Sequence, residues 1–144
     1  DAVKFPKAHI EGAQYDFSFS GLKSAVLNYI NGCKMKGESF DPADIAASFQ
    51  KAVVEVLVEN SMRAAEDYGV YKFAIAGGVA SNTALREAME QACKEREIRF
   101  YRPSPIYCTD NAAMIGAAAY YEYLAGTRHG WDLNAVPNLK LGER

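Results

Sequence analysis

Phe73-Ala74-Ile75-Ala76-Gly77-Gly78-Val79-Ala80-Ser81-Asn82 is the stretch from which the rest of the chain can be read. A short apolar run meets two glycines. Ser81-Asn82, both capping types, then introduces an amphipathic segment with Leu85, Ala88, Met89 and Ala92 at helical spacing. The pattern predicts a strand, a tight turn and a helix. Gly77 and Gly78 have no side chains to keep a ligand from the backbone, and the first amides of a helix offer partial positive charge to phosphate oxygens. The same Gly-Gly sequence also turns ordinary α/β units that bind nothing, so phosphate binding and simple chain reversal both stay open.

Downstream, Ile98 to Tyr101 reads as a second short strand, and Arg102-Pro103-Ser104-Pro105 forbids further regular structure. Ile106 to Asp110 is then a loop or short turn. A last helix is expected to begin near Thr109 or Asp110 and to run through Ala112, Met114, Ile115, Gly116 and Ala119; being apolar almost all round, it is expected to be buried. The tail from Gly126, with Trp131, Pro137, Lys140 and Arg144, is expected to wrap the surface.

Upstream, Asp41-Pro42 with Asp44 behind them is a helix start, having a capping carboxylate, a first-turn proline and an acidic group at the positive end of the dipole. This helix is expected to run to about Tyr68 and stop at Gly69, with Ile45, Phe49, Ala52, Val53, Val56 and Leu57 as one apolar stripe; Gln50 and Lys51 take surface positions or face a cleft. Before it, Ser20 and Gly21 open a helix carrying Leu22, Ala25, Val26, Tyr29 and Ile30, closed by Gly32. Cys33 to Ser39 follows as a polar loop in which Lys34 and Lys36 read as solvated. Val3 to Phe5 and Tyr15 to Phe19 are predicted strands on either side of a turn at Gly12. The fold class is therefore α/β, a βαβ pattern with a parallel sheet after a hairpin-like pair. Ligands in such folds lie beyond the carboxyl ends of the strands, where Gly77-Gly78 and Thr109-Asp110 are both expected and would converge.

The 144 residues, 49% hydrophobic and 12% aromatic, suit one domain with a buried core. Sixteen basic against eighteen acidic residues give a net charge of −2, without the excess that a self-sufficient nucleic-acid binder carries. Cys33, Cys93 and Cys108 are odd in number and show no Cys-x-x-Cys spacing, which points to a reducing cytoplasm. No apolar run has membrane-spanning length. The chain opens at Asp1 without an initiator methionine, as expected of a piece excised from a longer protein.

Among chemical candidates, Asp110 is either a metal-ligating carboxylate or a plain helix cap. His9 and His129 stand alone and no His-Glu-x-x-His motif is present. Ser18, Ser20 and Ser81 lack the Gly-x-Ser-x-Gly elbow of a nucleophile, and Ser20 and Ser81 read as caps. Cys108 reads as a small buried apolar group.

The glycine stretch looks like the adenosine motif of the actin, sugar-kinase and heat-shock ATPase superfamily. Three stretches together carry a more specific likeness: Asp16-Phe17-Ser18-Phe19-Ser20-Gly21-Leu22-Lys23; Ala76 to Asn82 with Leu85-Arg86; and Cys108-Thr109-Asp110-Asn111-Ala112-Ala113-Met114-Ile115-Gly116. Across essentially its whole length the chain resembles the carboxyl-terminal half of the tRNA threonylcarbamoyladenosine transferases, once labelled O-sialoglycoprotein endopeptidases. The resemblance implies one lobe (residues 1–144) of a larger two-lobed, ribonuclease H-like enzyme of the actin and sugar-kinase type, incomplete without its amino-terminal half. It implies transfer of threonylcarbamoyl from threonylcarbamoyl-AMP to the adenosine beside the anticodon of tRNA, and two smaller bacterial partner proteins, TsaB-like and TsaE-like. It also implies Gly77, Gly78 and Asn82 as contacts to an adenylate or ATP-type ligand, and Asp110 as a ligand to one divalent metal ion, iron or zinc. The family's His-x-x-x-His metal motif has no counterpart here, so the fragment alone is expected neither to catalyse transfer nor to hold metal tightly. A metal-dependent endopeptidase and a non-catalytic nucleotide-binding lobe are the alternative functions.

Overall fold

The structure is a computed structural model describing residues 2–7, 12 and 14–140, so His9 and Arg144 lie outside the described residues. In chain order the elements are helix α1 (Ser20–Lys36), helix α2 (Pro42–Asp67), strand β1 (Lys72–Ala74), a 3₁₀ turn (Gly78–Ser81), helix α3 (Thr83–Glu95), strand β2 (Arg99–Tyr101), a second 3₁₀ turn (Pro105–Tyr107) and helix α4 (Ala112–Leu124). They fall into two compact units, Asp1–Cys108 and Thr109–Arg144.

The first unit is built along α2. Asp41 is its N-cap, accepting a hydrogen bond from the Ala43 amide at 2.8 Å, and Gly69 ends it in the left-handed conformation at φ 61°. The helix is long enough, roughly 39 Å at 1.5 Å per residue, to carry two apolar faces in succession. Ile45 and Ala52, with Phe49 and Val53, pack with Leu22 of α1 and with Phe5; Met62 and Ala65, with Leu57, pack with Leu85, Met89, Ala92 and Cys93 of α3. The expected single stripe is thus shared between two clusters. α3 crosses between β1 and β2, which pair in parallel in the register Lys72↔Arg99, Phe73↔Phe100, Ala74↔Tyr101. Phe73 and Phe100, opposite each other, both turn into the α2–α3 cluster. The α/β class and the βαβ unit stand as read from the sequence.

Several boundaries do not. The opening hairpin-like pair is absent among the described residues: Val3 to Phe5 and residues 16–19 are irregular. Side chains hold these segments instead. The Val3 amide donates to Ser48 Oγ at 3.2 Å, Asn60 Nδ2 to the Asp16 carbonyl at 3.0 Å, and the Tyr15 hydroxyl to Asp67 at 2.8 Å. Docking on α2 gives the Val3 amide and the Asp16 carbonyl partners without a neighbouring strand. α1 does not stop at Gly32 but runs on to Lys36 and closes at Gly37, φ 69°, because the Glu38 amide reaches the Cys33 carbonyl at 2.9 Å and buries Cys33 in the last turns. Ser20 is not a cap; Phe19 occupies that position and no side chain caps α1.

The second unit consists of α4 and an irregular tail to Lys140. No residue of α4 is buried, contrary to the expectation from its composition; Met114, Ile115, Tyr120, Tyr121 and Leu124 are all exposed. An all-round apolar sequence records what a helix would gain from burial, not what covers it. No helix among the described residues is long and apolar enough to cross a membrane.

Candidate functional site at the glycine turn

Beyond the end of β1 the backbone turns through Gly77 at φ 84°, ψ 172°, a conformation that essentially only glycine adopts. A Cβ placed there would meet no atom within 4 Å, so the demand for glycine comes from the backbone dihedral and not from crowding. Gly78 then opens the 3₁₀ turn. Its first bond runs from the Ala80 amide to the Gly77 carbonyl at 3.0 Å, so the amides of Gly78 and Val79 precede that bond and find no acceptor within the turn. Ser81 is not the helix cap expected of it; its hydroxyl donates back to the Gly78 carbonyl at 2.7 Å and tightens the turn. The cap is Asn82, whose Oδ1 accepts from the Leu85 amide at 2.9 Å. The glycine pair is therefore set off from the amino end of α3 by one 3₁₀ turn.

Two side chains from outside the turn fix it. Gln50 of α2 accepts a hydrogen bond from Asn82 Nδ2 through Oε1 at 2.9 Å. Arg86, only 8% exposed, donates from Nε to the Ala80 carbonyl at 2.5 Å and from Nη2 to the Pro103 carbonyl at 2.6 Å and to Cys108 Sγ at 3.2 Å. Its partners among the described residues are carbonyls and a thiol, with no carboxylate. One guanidinium thus ties the loop after β1 to the loop after β2, both beyond the carboxyl ends of adjacent parallel strands. Cys108 is buried as expected, but as an acceptor for this cation rather than as inert filling. The sequence alone places Gln50 on the surface or facing a cleft and includes Arg86 in the glycine-stretch likeness, but assigns neither a role in the site. A signal for Arg86 is nonetheless present: it falls three and seven residues before Met89 and Cys93, a charge on the buried face of α3.

Gly77, Gly78 and Asn82 are brought together in this turn. Asp110 belongs to the second unit, immediately before α4. It is not the helix cap: Asn111 is, with Oδ1 accepting from the Met114 amide at 2.9 Å. Asp110 is exposed. Among the described residues no three His, Cys, Asp or Glu side chains stand together as a metal site.

A larger hollow, about 780 Å³, lies between Val3, Phe5 and Lys7 on one side and Ser48, Lys51 and Glu55 on the other. None of the candidate residues lines it. Of its cations, Lys7 pairs with Glu55 at 3.1 Å and Glu59 at 2.5 Å, and hydrogen bonds to Glu59 and then Glu55 raise the Lys7 pKa above the usual lysine range.

The sequence model for tRNA N6-adenosine threonylcarbamoyltransferase matches residues 1–117. The chain is 58% identical over 144 residues to the protein of that name from Clostridium botulinum strain Hall, 61% identical over 145 residues to that of Clostridium novyi, and 57% identical over 145 residues to that of Clostridium kluyveri. All of this chain is covered in each comparison, and it spans 42% of the length of each relative.

Proposed function

The chain belongs to the tRNA N6-adenosine threonylcarbamoyltransferase family, and from that premise we propose that it is the nucleotide-handling carboxyl-terminal part of an enzyme that transfers threonylcarbamoyl from threonylcarbamoyl-AMP to the adenosine beside the anticodon of tRNA. The observation that carries the reading is the turn itself. An obligate glycine conformation at Gly77, two amides without acceptors within the turn, and an asparagine held from two sides stand where open α/β sheets bind ligands. In this reading Gly77 and Gly78 admit the adenylate close to the backbone and Asn82 hydrogen-bonds to it. The exocyclic amine of the tRNA adenosine attacks the carbamoyl carbon, a C–N bond forms, the C–O bond to phosphate breaks, AMP leaves, and the amine loses a proton. Holding the adenylate still is the contribution assigned to this chain. The fold belongs with the lobes of actin and the sugar kinases. The full-length enzyme is cytoplasmic and works with two smaller proteins, TsaB-like and TsaE-like.

Asp110 is assigned one ligand position on a divalent metal, iron or zinc. The residues of this chain do not by themselves fit such an ion, since one carboxylate cannot set a coordination geometry and no group of three His, Cys, Asp or Glu side chains forms a site among the described residues. The isolated chain should therefore bind iron or zinc only weakly; stoichiometric metal retained through dialysis against a chelator would contradict this.

The test of function is to give the full-length protein carrying this sequence threonylcarbamoyl-AMP and tRNA that lacks the modification, and to measure the modified nucleoside by mass spectrometry after digestion. Modification by the wild type, lost in Asn82→Ala and Asp110→Ala, is the expected result. Unmodified tRNA together with cleavage of a sialylated glycoprotein would favour the endopeptidase instead, and AMP binding without either activity the non-catalytic lobe.

A further inference from the structure

We propose that Gln50 is a positioning residue for nucleotide recognition, fixing the side-chain amide of Asn82 so that its remaining hydrogen-bonding groups are presented in one orientation to an adenylate; this rests on the reading of Asn82 given above. The assignment of atoms leaves no choice. The Leu85 backbone amide is a donor, so the Asn82 atom 2.9 Å from it must be the oxygen. The nitrogen is then at the other end of the amide, and its partner at 2.9 Å, Gln50, must turn its own oxygen toward it. Asn82 has used one of two lone pairs and one of two N–H groups. What remains, one acceptor and one donor, is held at two points.

The two points come from different elements. The Leu85 contact is local, three residues away on the helix that Asn82 caps, and alone would let the amide plane pivot. The Gln50 contact reaches across 32 residues to α2. The neighbours of Gln50, Ile45 and Ala52, are buried against α1 and Phe5, so the anchor does not depend on the glycine turn for its own place. Gln50 itself is exposed. An exposed glutamine whose hydrogen bond goes to the side chain of a capping asparagine beside an obligate glycine serves that asparagine more than it serves the core. Holding the amide in advance removes rotational freedom that binding would otherwise have to remove.

The experiment uses the full-length protein carrying this sequence and AMP as the probe, with affinity measured by titration calorimetry and folding by thermal melts. Gln50→Met removes the acceptor and keeps side-chain length and helix propensity. Asn82→Ser removes the amide and keeps a capping oxygen. Gln50→Met is expected to weaken AMP binding roughly 3- to 10-fold, the range for one side chain that must be immobilised on binding, with the melting temperature unchanged. The double variant should bind no more weakly than Asn82→Ser alone, because Gln50 acts only through Asn82. Two further readouts, the Asn82 side-chain amide resonances, should move in Gln50→Met and be restored in Gln50→Glu, which keeps an acceptor oxygen. Unchanged AMP affinity in Gln50→Met, with affinity lost in Asn82→Ser, would overturn the inference and leave the nucleotide reading standing. Unchanged affinity in Asn82→Ser would overturn both. Additive losses in the double variant would also overturn it.

Discussion

Arg86 is buried without a carboxylate partner among the described residues, and what keeps it there is geometry. Its planar fork reaches two carbonyl oxygens and a sulfur, one carbonyl in the connection after β1 and the other two acceptors in the connection after β2. Arg86→Met would leave the Ala80 and Pro103 carbonyls without this partner. A loss of about 2–4 kcal/mol is expected from denaturant titration, at the upper end for a single substitution because buried acceptors are left unpaired. Arg86→Lys should restore little, since one ammonium cannot span all three acceptors. Cys93 gives a second, pH-dependent test. Burial pushes its thiol above the usual thiol range, against a smaller opposing effect of Arg96. Unfolded, the thiol ionises from about pH 8.5, whereas the folded protein keeps the proton; above that pH the unfolded chain binds fewer protons and stability falls as pH rises. The contribution is complete below about pH 8.5. Urea midpoints should therefore decline on the alkaline side in the wild type and decline less steeply in Cys93→Ala, which starts lower because of its cavity. Equal slopes would sink the assignment.

The four α-helices among the described residues all end in the same way. Beyond each, a residue with positive φ lets two amides turn back onto the last carbonyls: Glu38 and Gly37 after α1, Val70 and Gly69 after α2, Ile98 and Glu97 after α3, Thr127 and Gly126 after α4. Glycine fills the left-handed position in three of them; after α3 it is Glu97, at φ 58°. Glu97→Gly should accordingly stabilise the protein by about 0.5–1 kcal/mol, the left-handed penalty of an L-residue reduced by the greater chain entropy of glycine. A lower melting temperature for this variant would show that the Glu97 side chain contributes more than its backbone costs. The same closure explains why Gly32 is not the stop that its residue type suggests. A glycine ends a helix only where the next residues can complete the reversed pair of bonds, and here that happens at Gly37, after Cys33 has been drawn into the core. At the other ends, Asp41, Asn82 and Asn111 each cap with a side-chain oxygen, and Pro42 follows the first of them. The start of α2 is therefore legible in the sequence, where cap, proline and acidic residue agree. Ser81 and Asp110, each one residue short of the true cap, have only their residue type to recommend them.

Every buried hydrophobic residue among those described, from Phe5 to Cys108, lies in the first unit. A chain ended after Cys108 should therefore still unfold in one cooperative transition, followed by circular dichroism against urea; a gradual, non-cooperative loss of signal would refute this. The order strand, glycine turn, helix, strand could be read from the sequence because each part is specified within a few residues, by periodicity, capping and the conformational freedom of glycine. So could Leu85, Met89 and Ala92 as core, and the family. The sequence also singled out Gly77, Gly78 and Asn82, but not what holds them. Whether Val3 to Phe5 and Tyr15 to Phe19 pair as strands depends on neighbours elsewhere in the chain, and here helices take that place through Ser48, Asn60 and Asp67. Asn82 finds Gln50 at a separation of 32 residues and Arg86 finds Cys108 at 22. Local chemistry therefore determined the elements and the turn, and the tertiary structure alone decided which distant hydrogen-bonding groups meet there, because a donor's partner is chosen by packing in space and leaves no period or cap in the sequence.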